Sequence, residues 1–135
     1  MATRNVKSQT LSLDAYRWEN RLILIVAENP EDGKMAEQLK LFENEQEALT
    51  DRKLLIFKIY AGGCTVYSPG MKLIQNTENK DLYEEFGSNS TPFQILLIGL
   101  DGGMKMKTNR VTDPAVFFAE IDTMPMRRNE LRKKG

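Results

Sequence analysis

Two short apolar runs, "RLILIVA" (Arg21 to Ala27) and "KLLIFKIY" (Lys53 to Tyr60), bracket a polar stretch with helical spacing. Nothing else in the chain restricts its fold so strongly. The first run is continuous in Ile, Leu and Val, as a strand buried on both faces must be. Between the runs, Met35, Leu39, Phe42 and Leu49 recur at offsets of four, seven and fourteen, so one helical face is apolar. Glu43, Glu45 and Glu47 lie mostly off that face. A strand, a helix and a second strand of these lengths predict a right-handed parallel crossover and an α/β fold. Asn29 followed by Pro30, Glu31 and Asp32 predicts the helix start, with Asn29 as N-cap and acids at the positive end of the helix dipole.

The rest of the chain supplies the other elements. "AGGCTVYSPGMKLIQNTEN" is interrupted by paired glycines and by Pro69-Gly70, which predicts a long irregular connection up to a short helix near Asp81 to Phe86. Such connections often carry function. "PFQILLIGLDGGMKMKT" reads as two strands around the Asp101-Gly102-Gly103 turn. Asp113 and Pro114 open a last helix with Phe117, Phe118, Ile121 and Met124 inward, and Pro125 is expected to end it. This order matches a thioredoxin-like core: a mixed sheet of about four strands with helices on both faces. Residues 1–10 read as a flexible arm, 11–128 as one domain and 129–135 as a basic, solvated tail.

Composition removes whole classes of function. The chain has 135 residues, no histidine and one cysteine. The missing histidine excludes Ser-His-Asp and Cys-His nucleophilic arrangements and histidine-bearing metal sites. One cysteine excludes both an internal disulfide and a dithiol redox pair. A formal net charge of zero argues against nucleic acid as a partner. No run reaches the roughly 18 to 20 apolar residues that span a bilayer, so no membrane insertion is expected. The N-terminal residues show no secretory h-region, which points to a cytoplasmic chain, or to a periplasmic or extracellular one whose leader has been removed. No metal and no cofactor are expected.

Three segments carry a family resemblance: "YRWENRLILIV" (Tyr16 to Val26), "LLIGLDGGMKMK" (Leu96 to Lys107) and "IDTMPMRRNE" (Ile121 to Glu130). They resemble the DUDES family, whose bacterial members are small stand-alone domains and whose animal members recur in sushi-repeat and coiled-coil-containing extracellular proteins. The resemblance implies a thioredoxin-like domain with antioxidant or matrix-associated roles. It marks Trp18, Arg21, Asp101, Gly102, Gly103, Asp122, Met124, Pro125, Met126 and Arg127 as motif residues. Trp18 and Arg21 are expected to form a clasp with the far end of the chain, in which Arg21 meets Asp122 and Trp18 covers the sheet edge.

Candidate chemistry falls in two places. Cys64, behind Gly62 and Gly63, is the one possible thiol nucleophile; a thiol there could be activated by nearby backbone N–H groups, or could simply be buried and inert. At the first strand's end, Glu28, Asn29, Glu31 and Asp32 occupy the position where thioredoxin-like enzymes hold their cysteines. Acids there raise a thiol pKa rather than lower it. Thr91-Pro92 precedes the later strand, where such proteins place a cis-proline, and a cis bond would build a binding groove with Glu28 to Asp32 and Cys64. The leading expectation is a catalytically degenerate binding or accessory module for an unidentified protein or peptide partner. The alternative is a one-cysteine thiol oxidoreductase that reduces peroxides or disulfides through Cys64 with an external reductant.

Overall fold

In the computed structural model, which describes residues 12–88 and 90–134, the centre is a six-stranded mixed sheet. The expected N-terminal arm lies outside the described residues. Strand β1 (Arg21–Ala27) is buried along its whole length, as its unbroken apolar sequence requires. It pairs in parallel with β2 (Leu54–Tyr60), aligning Arg21 with Leu54. On its other side it runs antiparallel to β5 (Phe93–Ile98), with Ala27 opposite Phe93. Strands β3 (Gly63–Tyr67) and β4 (Leu73–Thr77) extend the sheet beyond β2, and β6 (Met104–Thr108) beyond β5.

The period of two along β1 divides the core. Ile23, Ile25 and Ala27 face helices α1 (Gly33–Glu43), α2 (Gln46–Asp51) and α4 (Pro114–Asp122), packing with Met35, Phe42, Leu49, Phe117 and Ile121. Leu22, Leu24 and Val26 face the other way, toward Cys64, Phe57 and Leu82 of α3 (Asp81–Phe86). A 3-10 turn (Leu13–Tyr16) closes that second layer, with Tyr16 edge-on to Phe57 at 5.5 Å between ring centroids. The α/β class and the helices on both faces agree with the sequence.

Several details differ. The sheet has six strands, not four, because the connection expected to be irregular forms the β3–β4 hairpin. Pro69-Gly70 is its turn, closed by the Ser68 N–H on the Lys72 carbonyl at 2.8 Å. Short β-branched and apolar runs on either side of that turn were enough to pair. Gly63 permits the close approach: a Cβ there would lie 2.1 Å from the Thr77 carbonyl oxygen.

The first helix starts later than Asn29. Asp32 is its N-cap, accepting from the N–H groups of Lys34 (2.8 Å) and Met35 (3.1 Å), while Asn29 caps a preceding turn through the Glu31 N–H. It also breaks at Asn44 and Glu45, although Leu49 keeps its place on the inward face. Pro125 does not simply end the last helix. It is the first residue of a further helix, α5 (Pro125–Lys134), since proline is well suited to an N-terminal helical position. The basic segment from Asn129 is therefore helical, and Arg127 within α5 is 1% exposed.

Candidate functional site

The carboxyl end of the β1–β2 pair is where the sequence placed its binding residues. Register brings them together in part: Phe93 lies opposite Ala27, which sets Pro92 beside Glu28, and the Ala61 N–H donates to the Glu28 carbonyl at 3.0 Å. Glu28, Asn29, Glu31 and Pro92 are exposed, and Asp32 and Thr91 are half-buried. The polar side chains of Asn29 and Asp32 are committed to capping. The Thr91-Pro92 bond is trans, which corrects the expectation of a cis bond and removes the groove that depended on it.

Cys64 does not join this end. It sits on β3 opposite Ile59, 1% exposed among the apolar side chains of the second layer. Burial pushes its thiol up to about 12, far from the activated range. Sequence reasoning offered the backbone N–H groups of the preceding glycines as an activator; Gly63 instead admits β3 against β4.

The opposite, amino end of β1 holds the denser chemistry. Arg21, 1% exposed, donates through Nη1 to the Arg52 carbonyl (2.9 Å) and to Glu130 Oε1 (3.3 Å). Asp122, its expected partner, instead receives Arg52 through Nε (3.2 Å) and Nη2 (2.8 Å) and Arg127 through Nε (2.9 Å). Arg127 also reaches Asp51 Oδ2 at 2.6 Å and Glu130 at 3.3 Å. The clasp between the two ends of the chain is thus real, but its pairs are exchanged. Burial opposes the charge on Asp122, yet the hydrogen bonds from Arg52 and Arg127 outweigh it and hold the carboxyl below its ordinary value. Arg52 also lies over the Phe118 ring, 4.6 Å from its centroid. Trp18 leaves its side chain 61% exposed rather than covering the sheet edge, and ties down this end through its backbone N–H on the Leu100 carbonyl.

Beside this network lies a pocket of about 350 Å³ lined by Arg21, Leu100, Asp101, Lys105, Glu120, Met124, Pro125 and Met126. Asp101 of that lining opens the Asp101-Gly102-Gly103 turn. There Gly102 holds φ at 85°, Asp101 accepts the Gly103 N–H (2.9 Å), and Lys105 pairs with Asp101 at 3.0 Å. The Gly103 N–H, then the Lys105 ammonium, keep the Asp101 carboxyl below its ordinary value. All three segments that carry the family resemblance converge here. The sequence pointed to Arg21, Asp101 and Met124 to Met126 but missed Arg52, Asp51, Lys105, Glu120 and Glu130. Among the described residues, no group of three or more cysteines and acids is arranged to hold a metal ion.

No solved structure matches the chain. Coiled-coil domain-containing protein 80 of Danio rerio is 26% identical over 136 aligned positions, which cover 88% of this chain and 15% of that protein. The chain therefore spans a small part of that relative's length. A family model described as a domain of unknown function (DUF4174) matches residues 12–130, and the chain belongs to that family.

Proposed function

We propose that this chain is a binding or accessory module of thioredoxin-like architecture that has no thiol chemistry, related to the DUDES proteins. The strand order β2-β1-β5-β6, with β2 and β1 parallel and the β1–β5 and β5–β6 pairs antiparallel, supports that architecture. The observation that carries the reading is the state of Cys64: its sulfur is buried in an apolar layer, its thiol is pushed up to about 12, and acids and caps occupy the end of β1. A thiolate nucleophile needs the reverse of each condition. Among the described residues no helix is long and apolar enough to cross a membrane. The surface on which a partner acts is assigned to the amino end of β1, where the polar network and pocket lie.

The test is thiol reactivity. Alkylation of the native protein should be slower than that of the denatured protein by about a hundredfold or more, because both access and thiolate fraction are low. Peroxide or insulin-disulfide turnover should be absent. Native Cys64 reacting as fast as a free thiol, or turnover lost in Cys64→Ser, would restore the oxidoreductase alternative.

A further inference from the structure

Helix α5 brings almost nothing apolar to the domain. Of its described side chains Arg127 is buried and Glu130 half-buried, and the others, Met126 and Leu131 among them, are exposed. It adds no residue to either apolar layer; Met124, just before it, is the last to pack there. Its attachment is polar instead. Arg127 meets the Asp51 carboxylate and carbonyl of α2 and the Asp122 carboxylate of α4. Glu130 receives Arg21 at 3.3 Å and faces the Lys53 ammonium at 3.9 Å.

Such an attachment is a small difference between large terms. Coulomb attraction has to offset the water stripped from two buried guanidiniums, Arg21 and Arg127. The docked arrangement also leaves Nε and Nη2 of Arg21 sealed from water without a hydrogen-bond partner among the described residues, a further cost of keeping the helix closed. With ten residues, α5 is shorter than the roughly 12 to 15 at which an isolated helix becomes even marginal in water, so an undocked α5 melts. The body does not depend on it. Asp122 keeps Arg52, and α4 is anchored by Phe117, Phe118 and Ile121.

We propose that α5 is a charge-held latch over the amino end of β1. Hinged at Thr123 and Met124, it undocks and melts as a unit while the sheet stays folded, and it uncovers Arg21 when it does. The proposal rests on the reading of this end as the binding surface and names its regulation: a partner reaches Arg21 only in the open state.

The experiment is native-state hydrogen exchange on the full chain, read amide by amide by NMR. The α5 amides from Arg128 to Lys133 should share one protection factor, about a hundredfold or more below that of Ile23 to Ile25 in β1. Glu130→Gln removes the charge that faces Arg21 and Lys53, and should lower the α5 protection a further tenfold or so while leaving β1 within about twofold. In that variant Arg21 should react with phenylglyoxal about tenfold faster than in the parent, as mass spectrometry of its peptide would record. A gradient of protection falling from Arg128 to Lys133 would mean fraying from the end. Equal protection in α5 and β1 would mean one cooperative unit, and a Glu130→Gln chain that fails to fold would mean that the body needs the helix. Each of these overturns the latch, as does unchanged Arg21 reactivity. None of them alters the Cys64 alkylation result, so failure of the latch and failure of the binding-module reading are told apart.

Discussion

Replacing Asp122 by alanine tests whether the exchanged clasp holds the C-terminal helices to the sheet. The carboxylate receives three hydrogen bonds from two guanidiniums, Arg52 Nε and Nη2 and Arg127 Nε. Hydrogen bonds to charged groups each contribute about 1.5 to 3 kcal/mol, and breaking a fully buried pair costs about 3 to 5. Asp122 is 37% exposed at its side chain, so solvent screens part of this. Arg127 keeps Asp51 and Glu130 as partners. The expected loss is therefore about 2 to 3 kcal/mol. In urea, with a slope near 2 kcal/mol per molar for a domain of this size, the midpoint should fall by about 1 to 1.5 M.

The pH dependence supplies a second reading of the same variant. The Asp122 carboxyl is held below its ordinary 3.8, so its stabilisation is complete above the unfolded value and is lost as pH falls through the folded one. The difference between parent and variant should accordingly be full at pH 7 and close in stronger acid. A midpoint within about 0.2 M of the parent's at pH 7, with unchanged slope, would refute the reasoning.

Gly63→Ala should destabilise the chain by about 3 kcal/mol or more, since the new methyl would meet the Thr77 carbonyl oxygen at 2.1 Å; an unchanged thermal midpoint would show that β3 and β4 separate easily. Gln38→Leu removes the pair of 2.8 Å hydrogen bonds that the buried amide exchanges with the Thr112 backbone, at a cost of about 2 to 4 kcal/mol. Hydrogen exchange at Thr112 should rise with it, and an unaltered rate there would mean that another group protects that amide.

What the sequence made legible follows from periodicity. The uninterrupted apolar run at Arg21 to Ala27 could only be a central strand, and Met35, Phe42 and Leu49 kept a common face even across the helix break at Asn44. Boundaries failed where local signals competed. Asn29 and Asp32 are both good caps, and only the fold decides which one the helix uses. Pro125 terminates one pattern and opens another, because proline excludes a preceding helical residue but suits a first-turn position. The β3–β4 hairpin was obscured by glycines that, in a strand, mark close backbone approach as readily as they mark a break.

The site was less legible because ion-pair partners are set by tertiary placement, yet one signal was available. Along β1 the odd-numbered residues Ile23, Ile25 and Ala27 all face the layer of α1 and α4, so a period of two puts Arg21 on that same side. A cation at the start of a buried strand cannot stay unpaired, and on that side the chain nearby is the region that follows Ile121. Asp122 is the first acid there, which makes it the natural choice when α5 is read as a tail. Once Pro125 is allowed to begin a helix, the three-residue spacing from Arg127 to Glu130 puts those two side chains on one face. Glu130 can then reach Arg21, and Asp122 is left to Arg52 and Arg127. The misassigned partner and the misread tail are thus a single error, since reading the last residues as a helix is what brings Glu130 to the buried Arg21.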